Sequence, residues 1–257
     1  MNNQPAESNV ADRLSPNAKT HLYRLRLAAT PQDVENAQRL RFNVFNVEMG
    51  EGLASARESG LDADKFDPIC DHVLVEEIAT GMLAGTYRVQ MGDRALAGAG
   101  FYSAQEFDFT PFLDRARELV ELGRACVHKL HRNLTVLGML WKGISQYAKA
   151  RGGRWFIGCS SIPSQDPAEG ITLYHLLKDR FLAPPEWITK PMPGYECVAE
   201  PLDRPVRPPK LMSAYFSVGA KICGEPALDA EFKTIDFLTL VDIHELPESV
   251  ISRYDLK

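Results

Sequence analysis

Residues 121–140 read ELGRACVHKLHRNLTVLGML. The first eight alternate as a strand does, with a Glu and an Arg set among small and apolar residues. From Thr135 the chain continues as TVLGMLWKGISQYAKARG, with the spacing of a long helix that stops at Gly152 and Gly153. A strand that feeds a long helix through the basic turn HKLHRN sets the fold class. Regular alternation puts Glu121, Gly123, Ala125 and Val127 on one face and Leu122, Arg124, Cys126 and His128 on the other. The small residues beside Glu121 leave space there, and a bulge would bring Glu121 and Arg124 to the same side. A structural ion pair near a strand end is the simpler alternative.

Outward from this segment, YRLRLAAT (23–30) reads as a strand and PQDVENAQRLRFNVFNVEMG (31–50) as a helix with Pro31 in its first turn. A long irregular segment (50–70) leads to two strands, DHVLVEE and MLAGTYRVQ, joined by a turn at IATG. A second irregular region (91–110) and a short helix, PFLDRARELV, precede the central strand. After the long helix come a strand (RWFIGCSSIP), a helix (PAEGITLYHLLKDR), a Pro-rich loop (184–209), a helix (PKLMSAYFSVGA) and a long late strand (EFKTIDFLTLVDI). With no repeat and no boundary, the pattern predicts one α/β domain over 23–257 behind a polar tail, 1–22, expected to be disordered.

The net charge of −5 excludes a general nucleic-acid binder. No run approaches the ~20 apolar residues of a membrane span and the start lacks a signal sequence, so a cytoplasmic location is expected. Five cysteines without a Cys-x-x-Cys fit reduced thiols.

Several motifs fail on their chemistry. In LDADKFDPICD (61–71), Asp62 and Asp64 have the opening spacing of a calcium loop. Phe66 and Val73 then stand where the fifth and twelfth positions require ligands, so a solvated acidic loop is expected. The pairs Cys70/His72 and Cys126/His128 are too closely spaced for zinc, and no metal is expected. GDRALAGAGF (92–101) lacks the Lys-Ser/Thr of a phosphate loop and reads as a turn, and no Gly-x-Ser-x-Gly elbow anchors a hydrolase triad. More promising are His128, Lys129, His131 and Arg132 before a helix start with Asn133 and Thr135 as cap candidates. Free N–H groups beside Arg132 suit a phosphate; a merely capped helix is the alternative.

In order and spacing these segments resemble the GNAT acyltransferase superfamily over about 25–243. The resemblance implies a single GNAT-like α/β domain with a mixed, splayed central sheet flanked by helices. The chain is similar in particular to the bacterial acyl carrier protein-dependent ornithine N-acyltransferases and to their relatives, the acyl-homoserine lactone synthases and N-acyl amino acid synthases. The matching segments are RLRFNVFNVEMG (39–50), LDADKFDPICDHVLV (61–75), GTYRV (85–89), FYSAQEFDF (101–109), ELGRACVH (121–128), MLW (139–141), IGCSS (157–161) and GAKICGEPALDAEFKTIDFL (219–238).

The resemblance implies transfer of a fatty acyl chain, 3-hydroxylated, from the 4′-phosphopantetheine arm of acyl carrier protein to the α-amine of an amino acid. Ornithine is the first choice of acceptor, with an N-acyl amino acid or acyl-homoserine lactone synthase acting on another amine as the alternative. No cofactor beyond the donor arm is needed, and a lipid product implies transient contact with the inner membrane surface. Glu121 is then the expected base, Arg124 its substrate or structural partner, and Tyr174 the proton donor to the leaving thiolate, although an ordinary helix aromatic explains Tyr174 equally. Arg88 is a second candidate for the substrate carboxylate; Asp64 and Asp67 are expected to hold a distal ammonium or to anchor their loop through Arg41. Phe45, Phe101 and Tyr102 are candidates for the acyl pocket.

For the donor, backbone groups of Cys126, Val127 and His128 are expected at the thioester oxygen, and Arg132, Asn133, Leu134, Thr135 and Val136 at the phosphate. Leu134 and Val136 depart from the small residues of the superfamily's phosphate turn, which favours a carrier-protein phosphodiester over the pyrophosphate of coenzyme A. Lys129, Arg132, Lys142, Lys149, Arg151 and Arg154 are the cations expected to meet an acidic carrier protein.

Overall fold

A computed structural model of the chain describes residues 16 and 18–254. Strands β1 (Ala18–Lys19), β2 (Tyr23–Leu27), β3 (Asp71–Glu77), β4 (Leu83–Met91) and β5 (Leu119–Val127) are successive antiparallel neighbours. β5 then pairs in parallel with β6 (Trp155–Ile162), and β9 (Thr234–Asp242) lies antiparallel on the other side of β6. The short strands β7 (Lys221–Ile222) and β8 (Ala227–Asp229) both pair with β9.

A parallel pair needs a crossover, which helix α3 supplies. Helices α1 (Pro31–Phe42) and α2 (Gly92–Ala97) precede α3 (Leu134–Arg151); α4 (Pro167–Phe181), α5 (Lys210–Ser217) and α6 (Glu248–Tyr254) follow. Asn133 caps α3 by accepting the Val136 N–H at 3.0 Å, and the helix ends at Gly152, whose φ of 72° suits glycine. Val136, Leu140, Ile144 and Tyr147 of α3 pack on Leu25, Val73, Val75, Val89 and Val120 of the sheet. The opposite face is covered by aromatic residues, Phe101, Phe107, Phe112, Trp155 and Trp187, and by Leu40, Val44 and Phe45. Cover on both faces leaves all of β4 after Leu83 and all of β9 before Asp242 buried.

One relationship in the sheet positions the site. β5 and β6 pair only at Leu119, Val120 and Glu121 with Trp155, Phe156 and Ile157, although both strands continue beyond. They part at Gly158, where a Cβ would stand 2.2 Å from the carbonyl oxygen of Leu122.

Three expectations change. Ala18 and Lys19 pair with β2, so the fold begins before residue 23; the remainder of the expected tail below 18, apart from Pro16, lies outside the described residues. The first long helix stops at Phe42, and Asn43–Met49 continue as a wider π-helix to Gly50 (φ 74°). GDRALA forms the short helix α2, not a turn, and its first residue, Gly92, packs against the Ala116 carbonyl where no side chain fits. No helix among the described residues is long and apolar enough to cross a membrane.

Candidate active site

The strand that opened the sequence carries a bulge. Thr86 pairs with Cys126 and Arg88 with Gly123, so Tyr87 alone faces both Arg124 and Ala125. Arg124 takes a left-handed backbone conformation, φ 53°. The extra residue reverses the alternation. Val120 and Leu122 face the α3 core, as does Val127 past the bulge, while Cys126 packs with Leu40 and Phe45 on the other face. Arg124 thereby joins Glu121 on the α1 side of the sheet.

On that side the acidic loop is buried, against the solvated loop expected. Arg41 donates from Nε to Asp62 at 2.8 Å and from Nη2 to both oxygens of Asp67 at 2.8 and 3.0 Å. Arg88 reaches Asp64 at 2.6 Å and Asp67 at 3.1 Å; Arg124 reaches Asp64 at 3.2 Å and lies 3.3 Å from Asp62. Three guanidiniums thus balance three carboxylates. Burial alone would raise the carboxyls of Asp64 and Asp67, but Arg88 with Arg124, and Arg41 with Arg88, hold them below the usual carboxylate range. Asp64 and Asp67 are therefore engaged with protein cations, and Arg88 does not line the cavity.

The cavity, about 400 Å³, occupies the gap where β5 and β6 part. Phe45, Tyr102, Arg124 and Phe232 wall it on the α1 side. Tyr87, Leu122, Met212 and Tyr215, which belong to the α3 core, wall it on the other. Its walls therefore come from both faces of the sheet.

Glu121 stands behind this wall. Its two oxygens accept the backbone N–H groups of Tyr102 and Ser103, each at 2.8 Å, and it does not line the cavity. Burial raises its pKa while the two amides oppose the rise. The carboxylates that do line the cavity are Glu51 and Asp236. Glu51 is raised to about 7 by burial and then by Asp236, a value suited to a base at neutral pH.

Phe101 stacks on Phe109 in the core rather than on the cavity, and Tyr174 lies on α4 against the core edge. Tyr87 and Tyr215, their hydroxyls 2.8 Å apart, are the tyrosines of the cavity's α3 side. The His128 N–H is spent on Ala84 O at 2.9 Å. The Cys126 thiol is buried and pushed up to about 12, so it is no nucleophile. Cys126 does not converge with His128 on a metal site. Among the described residues the convergent donor set is Glu106, Cys159 and Asp236.

At the mouth, Arg132 pairs with Glu48 at 2.6 and 2.9 Å, and Leu134 is 87% exposed beside it while Val136 is buried. Thr135 lies within α3 and does not cap it. The expected cation cluster is dispersed. The 18 residues of α3 span about 27 Å, so Lys149 and Arg151 stand at its far end, and Arg154 pairs with Asp242.

Residues 40–142 match the family model described as Acetyltransferase (GNAT) domain. The chain is 32% identical to the L-ornithine N(alpha)-acyltransferase of Agrobacterium fabrum, over 89% of this chain and 84% of that one. It is 34% identical to the enzyme of the same name from Rhodobacter capsulatus, over 88% and 92% of the two chains. The chain belongs to the L-ornithine N(alpha)-acyltransferase family. Among solved structures, FeeM, an N-acyl amino acid synthase from uncultured soil microbes, superposes with a TM-score of 0.51 at 11% identity, over 87% of this chain and 92% of that one, which shows the fold.

In this member of the L-ornithine N(alpha)-acyltransferase family, a single GNAT-like α/β domain carries the site. The sequence pattern missed Glu51, Glu106, Cys159 and Asp236. For Asp236 a signal existed: it is an acid in the interior of the largely apolar strand TIDFLTLVD, the same feature that drew attention to Glu121.

Proposed function

We propose that this protein transfers a fatty acyl group from the thioester of acyl carrier protein to the α-amine of ornithine. The observation that carries the reading is the cavity at the β5–β6 gap, lined from both faces of the sheet, in a chain of this family. The α3 side, with Leu122, Met212 and the Tyr87–Tyr215 pair, takes the acyl chain. The α1 side takes the amino acid.

The α-ammonium must lose a proton before its nitrogen attacks the thioester carbon. Glu51 takes it, and Glu121 acts as a positioning residue by tying down the Tyr102–Ser103 loop that forms one wall. As the thioester oxygen gains charge, backbone N–H groups released from the ladder at the Arg124–Ala125 bulge face it. The Arg124 guanidinium, on the wall, meets the substrate carboxylate. The thiolate leaves beside the Tyr87 and Tyr215 hydroxyls, which donate to it in place of Tyr174.

Arg132, paired with Glu48, lines the cavity, and Lys129, Leu130 and Leu134 are exposed next to it in the chain, a surface that suits an acidic carrier protein. The same surface suits transient contact with an anionic membrane surface, where the product is released.

The test is mass spectrometry of the protein incubated with carrier protein bearing a 3-hydroxy fatty acid and, in separate reactions, ornithine, other amino acids or S-adenosylmethionine. Acyl-ornithine is expected. Formation of a lactone, or acylation of other amino acids with ornithine left unmodified, would overturn the reading.

A further inference from the structure

Six ionisable groups on the α1 side neutralise one another, and a second acidic group does not. Asp236 of β9, Glu106 of the loop before β5 and Asp229 of β8 are all buried, at 4%, 2% and 6% exposure. None of the three has an Arg, Lys or His ion pair among the described residues, and Arg124 acts on Glu106 only at longer range. Asp229 has a structural use, accepting the Phe232 N–H at 2.8 Å. Asp236 lines the cavity; Ser161, Thr234 and Glu106 act on its carboxyl by hydrogen bonding, while its Oδ1 is buried without a hydrogen-bond partner. A buried carboxylate oxygen without a donor costs stability unless something else supplies one.

Glu106 stands beside it, one layer behind the cavity lining. The Cys159 thiol donates to Glu106 Oε2 at 3.7 Å, and ligating atoms of Glu106, Cys159 and Asp236 all lie within 4.8 Å of one another. Between this group and the bulge the walls are the faces of Phe45, Phe232 and Tyr102, which suit methylenes.

We infer that Glu106 and Asp236 form a subsite for the terminal alkylammonium of a diamino acid, so that the acceptor is chosen by its second amine. The inference rests on the acyltransfer reading above and deepens it. Ornithine carries three methylenes between its α-carbon and an ammonium. With Arg124 on its carboxylate and the α-amine at the bulge, the side chain runs along the aromatic walls to the acid pair. The ammonium brings three donors, enough for Asp236 Oδ1 and for Glu106.

Burial, with the charge of Asp229 nearby and that of Asp236 beside Glu106, holds the carboxyls of Glu106 and Asp236 above the ordinary range, a cost that an incoming cation offsets. A soft metal is the competing occupant. The Cys159 thiol is held far above its usual pKa by burial and by Glu106, which disfavours the thiolate a metal requires.

Two measurements test this. In the first, acylation of ornithine is compared with that of norvaline, which has the same carbon chain and no second amine. Native protein is expected to favour ornithine by about 100-fold in kcat/KM, and Asp236→Asn and Glu106→Gln to reduce that preference to within about fivefold. Equal turnover of the two acceptors by native protein, or an unchanged preference in both variants, overturns the subsite while leaving acyltransfer intact.

The second measurement is independent of turnover. Calorimetric titration with 1,4-diaminobutane is expected to show binding to native protein that both variants lose, each variant being checked for a native-like thermal transition. Binding without any acylation of ornithine would sink the acyltransfer reading and keep the subsite. No diamine binding, or stoichiometric Zn²⁺ binding that Cys159→Ser abolishes and that excludes the diamine, overturns the subsite.

Discussion

The Glu121 carboxylate accepts the backbone N–H of Ser103 at 2.8 Å, with Ser103 itself 1% exposed. The bond ties the loop before β5 to the strand beside the cavity, and the second oxygen does the same for Tyr102. An anchor and a base respond differently to substitution. Glu121→Ala strands two buried N–H groups, each costing about 1–3 kcal/mol. Urea unfolding should show that loss, and the residual activity should keep the native pH profile. Loss of the acidic limb in Glu121→Gln would return the base to Glu121.

Glu51 predicts that limb. Activity should rise as pH passes about 7, where Glu51 ionises against burial and the Asp236 carboxylate across the cavity. Glu51→Gln should lower kcat/KM by about 100-fold or more and flatten the rise. Stability moves the other way. The folded pKa exceeds the unfolded one, so stability is full below about 4.5 and is lost as pH climbs through about 7. Glu51→Gln should therefore melt higher than native protein at pH 8, with the gap closing toward pH 4.5.

Arg41 sits at the centre of the balanced network, 0% exposed. Arg41→Met leaves Asp62 and Asp67 buried with fewer cations, and the expected cost is about 3–5 kcal/mol in chemical denaturation. Arg41→Lys should rescue little, because an ammonium cannot span both aspartates. The depressed carboxyls of Asp64 and Asp67 give stability that is present above the unfolded value, near 4, and lost as pH falls below it. Acid unfolding of native protein should therefore begin below about pH 4, and that of Arg41→Lys at higher pH.

Arg132→Glu tests the rim. It should raise KM for acyl carrier protein about tenfold and leave turnover of a short acyl-pantetheine nearly unchanged, since the latter needs no protein docking. Added salt should mimic the variant with native protein and not with the small thioester.

Much of the fold was legible from periodicity. DHVLVEE and the helix from Leu134 to Arg151 lie where their patterns put them, because amphipathic spacing and caps are local properties. The π-helix at Asn43–Met49 was not legible: its widened turn is held by what Val44 and Phe45 pack against. The same limit applied to the acids. Asp62, Asp64 and Asp67 looked like a solvated loop because the arginines that bury them lie on α1, β4 and β5. Arg154 looked like a donor-side cation, yet α3 carries it to the far end.

By itself the sequence determined the order of strands and helices, the apolar faces and the family, since these follow from residue spacing along one chain. It also located a charged strand at the centre. Which carboxylate faces the cavity was decided by tertiary structure alone. One inserted residue at Arg124 reverses the alternation of β5, loop amides claim Glu121, and β9 brings Asp236 to the gap without an ion-pair cation among the described residues. Partner choice for a buried charge depends on groups tens of residues away, and no local pattern carries that information.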